Sequence, residues 1–198
     1  IETLRFEPGF GCIRADRHVA RMETSAAHFG RKLDANNARF LLAKVSGDAP
    51  LRLRLYLDEQ DRLSLTSHPF VPVPDGAIWK VTIAQSIRLD ANDPLLAHKT
   101  SLRGHYDHAR AEYPVDKADE VILLNEKGHV CEGTITSVFV GREGKLLTPP
   151  LADGLLRGIL REELLETGKA IERTLVPEDL ENGQLFVGNS LRGLIPAK

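Results

Sequence analysis

The stretch Ala97-His98-Lys99-Thr100-Ser101-Leu102-Arg103 divides the chain into two halves with different sequence patterns. Before it, short alternating segments separated by Pro- and Gly-containing turns predict a small antiparallel α+β unit. Lys99 lies where the sequence pattern changes, at the start of a predicted helix over residues 99–112. Because most lysines are solvated surface residues, a role for Lys99 has to be argued from the residues that follow it.

Composition describes an ordinary soluble protein without an unusual charge pattern. The 198 residues are 42% hydrophobic and 27% charged, with a net charge of −2, and no basic or acidic block suggests a nucleic-acid partner. Cys12 and Cys131 form neither a disulfide framework nor a C-x-x-C pair, which favours reduced thiols and a cytoplasmic location. No run has the length of a membrane span, no leader is recognisable, and no metal-ligating set stands out. Since the first residue is Ile1 rather than Met, we expect a few residues to precede it.

In the first half, hydrophobic periodicity predicts a hairpin, two helices and three strands. We place them over residues 1–14, 17–33, 36–45, 51–57, 63–67 and 79–84. Asp16 is expected to be the N-cap of the first helix. The inward face of that helix is expected to carry Val19, Met22, Ala26, Phe29 and Leu33. In the strand over 51–57 the leucines should share one face and the arginines the other.

The sequence of the second half predicts three helices and five strands. We place the helices over residues 99–112, 155–166 and 177–180, and the strands over 120–125, 130–140, 145–148, 171–176 and 184–188, with the strand over 79–84 belonging to the first half. The sequence therefore predicts a small N-terminal α+β domain over 1–86, a linker over 87–94 and a C-terminal domain over 95–198.

Three segments after Lys99 carry residues that packing alone does not require. Cys131-Glu132-Gly133-Thr134-Ile135-Thr136-Ser137 places an acid and small polar residues in a predicted strand. Gly154-Leu155-Leu156-Arg157-Gly158-Ile159-Leu160-Arg161 has a glycine in the predicted first turn of a helix, where free N–H groups favour an anion. Gly188-Asn189-Ser190 ends a predicted strand with hydrogen-bonding residues.

Taken one by one, these segments have ordinary explanations: a surface carboxylate, a helix-packing glycine and a loop cap. Taken together with Lys99, they are the parts that a pyridoxal 5′-phosphate (PLP) enzyme needs. The lysine forms a Schiff base with the aldehyde, the acid holds the ring nitrogen protonated, and the helix N-terminus neutralises the phosphate.

This combination resembles the class IV aminotransferases, fold-type IV PLP enzymes that include branched-chain and D-amino-acid aminotransferases and aminodeoxychorismate lyase. The resemblance extends over nearly the whole chain. It implies a two-domain α+β fold with a small antiparallel α/β N-terminal domain and a larger β-barrel-like C-terminal, PLP-binding domain. A second subunit usually completes the family's site, which implies a homodimer.

The resemblance also implies roles for individual residues. Lys99 matches the Schiff-base lysine, and Glu132 matches the acid at the pyridine nitrogen. Matches to the phosphate ligands fall on Arg21, in His18-Val19-Ala20-Arg21-Met22, and on Gly158, Ile159, Leu160, Asn189 and Ser190. Two departures stand out: Gly104 occupies a position where the family often has tyrosine, with Tyr106 two residues further on, and Leu160 replaces a frequent threonine.

Among the family's members, the chain looks closest to aminodeoxychorismate lyase, because its first domain is short and it ends in Asn-Ser-Leu-x-Gly-x-x-Pro. The implied reaction converts 4-amino-4-deoxychorismate to 4-aminobenzoate and pyruvate in folate synthesis, with aminodeoxychorismate synthase as a partner. Thr3 matches an active-site hydroxyl of the lyases, and Arg5, Arg54 and Arg103 are candidates for the substrate carboxylates because arginine binds carboxylate in a bidentate fork. The alternatives are a branched-chain or D-amino-acid aminotransferase and a non-catalytic protein that kept the fold.

Overall fold

The structure, a computed structural model, describes all residues from 1 to 198 as a mixed α+β fold in two compact units. The first unit comprises residues 1–72 and Ser190–Arg192, and the second comprises residues 73–189 and 193–198. The first unit therefore ends earlier than the boundary at residue 86 that the sequence predicts. The cause is a long-range pairing: Val81–Leu89 pairs in parallel with Glu120–Asn125 and so belongs to the second unit.

The first unit is an antiparallel four-stranded sheet packed against two helices. Its elements are β1 (Glu2–Glu7), β2 (Gly11–Cys12), α1 (Ala15–His28), α2 (Ala35–Ala43), β3 (Leu51–Leu57) and β4 (Leu63–Pro69), with strand order β2-β1-β3-β4. The alternation predicted for β3 is confirmed, because Leu53 and Leu55 are buried whereas Arg52 and Arg54 are exposed. The core of this unit is formed by Leu4, Phe6, Val19, Met22, Ala38, Leu42, Leu53 and Leu55.

The first helix differs from its prediction at both ends. Its N-cap is Arg14, which adopts a left-handed backbone conformation with φ 58°, rather than Asp16. Asp16 lies in the first turn instead, where a negative charge complements the helix dipole. The helix ends before Phe29, whose side chain is 39% exposed and so does not join the inward face.

The second unit combines a three-stranded and a five-stranded sheet with three short helices. Its elements are β5 (Val81–Leu89), α3 (Gly104–Ala111), β6 (Glu120–Asn125), β7 (Val130–Gly133), β8 (Ser137–Arg142), β9 (Lys145–Thr148), α4 (Ile159–Glu166), β10 (Ala170–Glu172), α5 (Pro177–Glu181), β11 (Gln184–Asn189) and β12 (Gly193–Pro196). The sheets have the orders β5-β6-β7 and β10-β9-β8-β11-β12. Strand β6 lies in the middle of its three-stranded sheet and is buried along its whole length.

Three predictions for the second unit are wrong in their boundaries. The helix predicted from residue 99 begins only at Gly104, since the Thr100 hydroxyl accepts a hydrogen bond from the Leu102 N–H and holds a turn there. The strand predicted over 130–140 is two strands, β7 and β8, separated by a turn. The helix predicted over 155–166 begins at Ile159.

No helix of the chain is both long enough and apolar enough to cross a bilayer. Both cysteines are free thiols, as predicted; Cys131 is buried and Cys12 is half-buried. Burial raises the pKa of each thiol, so both side chains act as small apolar groups near neutral pH.

Candidate active site

In the second unit, Lys99 and Glu132 interact electrostatically. Lys99 is half-buried in the irregular segment between a 3₁₀ turn, Pro94–Ala97, and α3. Glu132 lies in β7, opposite Leu123 of β6, and is 5% exposed. The positive charge of Lys99 acts on this carboxylate and favours its ionised form. The fold thus brings together two residues that the sequence assigned to one site.

The carboxylate of Glu132 is held in a way that leaves one oxygen available. The Tyr106 hydroxyl donates to Oε1 over 2.7 Å, and the Leu156 N–H donates to the same oxygen over 3.2 Å. Because both bonds converge on Oε1, Oε2 can accept a further hydrogen bond. A protonated ring nitrogen is such a donor, so the local chemistry of Glu132 fits the pyridine ring of PLP.

Burial gives Glu132 an unusual pKa. Removal from water raises the pKa from its ordinary value of 4.5 to about 7, even though the hydrogen bonds from Tyr106 and Leu156 and the charge of Lys99 oppose the rise. Near neutral pH this carboxyl group is therefore poised between its two forms, and a cationic partner at Oε2 would favour the carboxylate.

Tyr106 is fixed as the donor to Glu132. Burial and the neighbouring negative charge of Glu132 raise the pKa of its phenol, which keeps the hydroxyl protonated. The guanidinium of Arg103 lies 4.8 Å from the centre of the Tyr106 ring, and its Nη2 donates to the Thr134 carbonyl over 2.8 Å. Arg103 also faces Asp107 at 3.7 Å. These three contacts do not test the predicted role of Arg103 as a substrate ligand, which stays a prediction.

Replacing Tyr106 with phenylalanine should raise the pKa of Glu132 above about 7, because the mutation removes a hydrogen bond that lowers this pKa. Carboxyl ¹³C NMR of the apo protein would measure the shift. Tyr113→Phe is the matched control, since Tyr113 packs against the same core and its hydroxyl donates to the Ile83 carbonyl instead. An unchanged Glu132 titration in Tyr106→Phe would show that the hydroxyl does not tune the acid.

The start of α4 has the properties of an anion site. Gly158 is the N-cap, and the N–H groups of the first turn have no acceptor within the helix. A Cβ atom at Gly158 would lie 2.5 Å from Oγ of Ser137, so a larger residue there would require the Ser137 hydroxyl to move. Ile159 and Leu160, the other predicted phosphate residues, are buried and contribute backbone N–H groups only.

Strand β11 brings a further predicted residue to the same unit. Nδ2 of Asn189, the last residue of β11, donates to the Ile135 carbonyl over 3.0 Å. Gly188 packs tightly before it: a Cβ there would lie 2.7 Å from the Gly193 carbonyl oxygen and 3.0 Å from Cδ2 of Leu160. The position of Asn189 is therefore fixed by its neighbours in the second unit.

The first unit contains a buried polar cluster around Arg21 and Ser190. Glu2 accepts hydrogen bonds from Nε and Nη2 of Arg21, over 2.9 and 2.6 Å, and contacts Nδ1 of His18 over 2.6 Å. The opposite ring nitrogen of His18 lies 2.8 Å from Oγ of Ser190. The Glu2 carboxylate thus orients Arg21 directly and Ser190 through His18. The phosphate role of these two residues stays a prediction.

Glu2 is ionised through most of the accessible pH range. Burial alone would raise its pKa, but the charge of Arg21 and the hydrogen bonds from His18 and Arg21 outweigh it and lower the pKa to about 2. A buried ion pair broken from one side is strongly destabilising, so the pair holds Arg21 in place.

The remaining predicted residues of the first unit lie on the sheet face opposite the core. Thr3 of β1 stands directly across from Arg54 of β3, and Arg5 stands across from Arg52. Arg5 is also ion-paired with Glu7. Directly opposed like charges destabilise a sheet, and the ion pair with Glu7 offsets this effect at Arg5.

We predicted no role in the site for Glu2, His18 or Leu156 from the sequence. Tyr106 was noted only because it lies two residues after the position, Gly104, where the family often has tyrosine. Glu2 shares a strand face with Leu4 and Phe6, and a carboxylate on an apolar face is a recognisable sign of a buried partner. Leu156 acts through its backbone N–H, for which the side chain gives no signal.

Known proteins resemble this chain over most of its length. A model of the family described as amino-transferase class IV matches residues 1–198. A Thermotoga maritima protein assigned as a branched-chain-amino-acid aminotransferase is 28% identical over 197 residues, covering 93% of this chain and 71% of the relative. A Schizosaccharomyces pombe protein assigned as an aminodeoxychorismate lyase is 30% identical over 183 residues, covering 88% and 79%.

Solved structures show the same relationship. The crystal structure of a Mesorhizobium loti protein assigned as an amino-acid aminotransferase superposes with a TM-score of 0.94 at 45% identity, covering 100% of this chain and 97% of the other. The chain belongs to the class IV aminotransferase family. It is an enzyme of this PLP-dependent class, which confirms the predicted family, the α+β fold and the cofactor.

Proposed function

We propose that the protein is a PLP-dependent lyase that converts 4-amino-4-deoxychorismate to 4-aminobenzoate and pyruvate. The observation that supports this reaction best is the sheet face of the first unit, where Thr3 stands across from Arg54 and Arg5 across from Arg52. The substrate carries two carboxylates, and arginine side chains suit them. A hydroxyl beside such a cationic face fits the lyase pattern.

The cofactor, bound to Lys99, would supply an electron-accepting ring that stabilises negative charge on the substrate carbon bearing the amine. Glu132 would hold the ring nitrogen protonated, because its carboxylate can accept a hydrogen bond from the N–H. Lys99 removes the proton from the amine-bearing ring carbon. The bond to the enolpyruvyl oxygen breaks, the ring becomes aromatic, and a proton returns to the departing enol to give pyruvate. The atoms balance without a redox partner.

An aminotransferase is the second candidate, and the similarity to the Mesorhizobium loti protein at 45% identity favours it. In that reaction Lys99 would remove the proton from the α-carbon of an amino acid, and Glu132 would hold the ring nitrogen protonated as in the lyase. The residues around Lys99 are therefore common to both candidates, and the substrate has to distinguish them.

The deciding assay offers the purified holoenzyme 4-amino-4-deoxychorismate and, separately, branched-chain or D-amino acids with 2-oxoglutarate. We expect release of pyruvate and 4-aminobenzoate in equal amounts in the first reaction. Glutamate formation in the second reaction, with no 4-aminobenzoate in the first, would reject the lyase and establish the aminotransferase.

Replacing Arg54 with glutamine should raise KM for 4-amino-4-deoxychorismate by about 10-fold or more, with a smaller effect on kcat, because a charge-assisted hydrogen bond to a carboxylate is lost. Steady-state kinetics would measure the two constants. The matched control is Arg62→Gln, in the same unit, where Arg62 pairs with Asp58 at the turn between β3 and β4. Equal KM values in both variants would remove Arg54 from the substrate site.

We further propose that the protein is a homodimer, as the family resemblance implies, and that an aminodeoxychorismate synthase provides its substrate. Light scattering at micromolar concentration tests the first proposal, and a monomer would contradict it. Sedimentation of the protein with a synthase tests a direct complex between the two; unchanged sedimentation of both would limit their link to the shared metabolite.

A further inference from the structure

A second buried carboxylate, Glu120, lies close enough for its charge to act on Glu132 but is not one of the predicted site residues. Glu120 begins β6 and is 0% exposed. Its Oε1 accepts hydrogen bonds from the Val121 N–H at 2.9 Å, the Thr134 N–H at 3.0 Å and the Thr134 hydroxyl at 2.6 Å. Its Oε2 accepts from the Ile135 N–H at 3.1 Å and the Thr136 hydroxyl at 2.8 Å. All five partners are donors, which is the environment that an acceptor-only carboxylate fits.

Four of these donors belong to the turn formed by residues 134–136, which interrupts the strand predicted over 130–140. The carboxylate satisfies backbone N–H groups of the turn that would otherwise be buried without a partner. Gly133 belongs to the same arrangement, because a Cβ there would lie 2.7 Å from Cδ of Glu120 and would also collide with the Thr136 hydroxyl. Glu120 thus determines the path of the chain immediately after Glu132.

The carbonyl groups of this turn connect it to the rest of the site. The Thr134 carbonyl accepts the bond from Arg103, whose guanidinium stacks on Tyr106. The Ile135 carbonyl accepts the bond from Asn189. The turn therefore joins the segment after Lys99 and the end of β11 to the strand that carries Glu132.

We infer that Glu120 is a positioning residue of the cofactor site: by fixing the turn over 134–136, it holds Glu132, Arg103 and Asn189 in their relative places. It acts through these residues and does not touch the cofactor. The inference rests on family membership and on contacts within one unit, so it holds for the lyase and for the aminotransferase alike.

Glu120 also affects Glu132 through space. Its negative charge contributes to the raised pKa of Glu132, after the larger effect of burial. Because a neutral isostere at position 120 also removes this charge, a fall in the pKa of Glu132 reports the charge of Glu120. The affinity for PLP in a folded variant is the readout that reports positioning of the site residues.

The experiment replaces Glu120 with glutamine. In either amide orientation, Nε2 would face at least one backbone N–H group, because each carboxylate oxygen accepts from one. We expect the dissociation constant for PLP to rise at least about 10-fold, and the pKa of Glu132 in the apo protein, followed by carboxyl ¹³C NMR, to fall. Fluorescence titration with PLP measures the first quantity without any assay of activity.

Glu112→Gln is the matched control. Glu112 also accepts two backbone N–H groups and a hydroxyl, from Gln85 and Ser86, but it lies at the surface away from the turn. We expect both readouts to be unchanged in this control. A folded Glu120→Gln variant with wild-type PLP affinity and an unchanged Glu132 titration would overturn the inference.

Thr136→Val keeps the test decisive if Glu120→Gln does not fold. This variant removes one donor to Oε2 and keeps the others, so we expect PLP affinity to weaken by about threefold to 10-fold. Wild-type affinity in a folded Thr136→Val protein would contradict the positioning role. These results do not depend on which substrate the enzyme uses, so they fail or succeed separately from the proposed reaction.

Discussion

Replacing Lys99 with alanine should reduce turnover by at least about 10³-fold, because the variant loses both the attachment point of the cofactor and the group that moves the substrate proton. The visible absorption band of the bound cofactor should be lost as well. Absorption spectra and product release from 4-amino-4-deoxychorismate would measure the two effects on the same preparation.

Two further variants are controls for Lys99→Ala. Lys99→Arg keeps a positive charge near Glu132 but not the primary amine, so it should be nearly as inactive as the alanine variant. Lys117→Ala removes an exposed lysine elsewhere in the second unit and should leave turnover unchanged. Appreciable turnover in a folded Lys99→Ala protein would exclude Lys99 from the chemistry.

Replacing Glu132 with glutamine should lower kcat by about 10²- to 10³-fold, because a neutral amide cannot favour the protonated ring nitrogen as a carboxylate does. Glutamine preserves the local geometry, since its carbonyl oxygen can accept the bonds that Tyr106 and Leu156 donate to Oε1. The loss would therefore report on charge rather than on packing.

The same variant should change how stability depends on pH. Because the pKa of Glu132 is raised from 4.5 to about 7 in the folded state, its contribution to stability is fully present below pH 4.5 and is lost as the pH rises through 7. The shift corresponds to about 3 kcal/mol. Between pH 4.5 and pH 8, apo wild type should lose that much unfolding free energy relative to apo Glu132→Gln.

Urea unfolding of both apo proteins across this pH range would measure the difference. Glu112→Gln serves as the control, because Glu112 lies near the surface and its pKa is lowered by the Ser86 and Gln85 hydrogen bonds rather than raised by burial. Parallel pH profiles for wild type and Glu132→Gln would contradict a Glu132 carboxyl that titrates near neutral pH.

The family and its cofactor could be predicted from the sequence, whereas parts of the path of the backbone could not. Lys99 and Glu132 could be singled out because lysine, an interior acid and a glycine-led helix form a chemical set. In the fold, the charge of Lys99 lowers the pKa of Glu132. The alternating pattern of residues 51–57 likewise predicts which side chains of β3 are buried, since burial of one sheet face follows directly from period two.

Features that depend on long-range partners could not be predicted from local patterns. The turn over 134–136 exists because Glu120, on another strand, accepts its N–H groups. The parallel pairing of β5 with β6 similarly moves residues 81–89 out of the first unit. The helix predicted from residue 99 fails for a local reason, the Thr100 hydroxyl turn, which helix periodicity does not register.

Borohydride trapping is the most direct test of Lys99 as the attachment point of the cofactor. The holoenzyme is treated with borohydride, which fixes a cofactor bound through an imine, and then digested and mapped by mass spectrometry. We expect a reduced pyridoxyl group on the peptide that contains Lys99, in an amount close to one group per chain. A pyridoxyl group on another lysine, or none on a protein saturated with PLP, would contradict this role of Lys99.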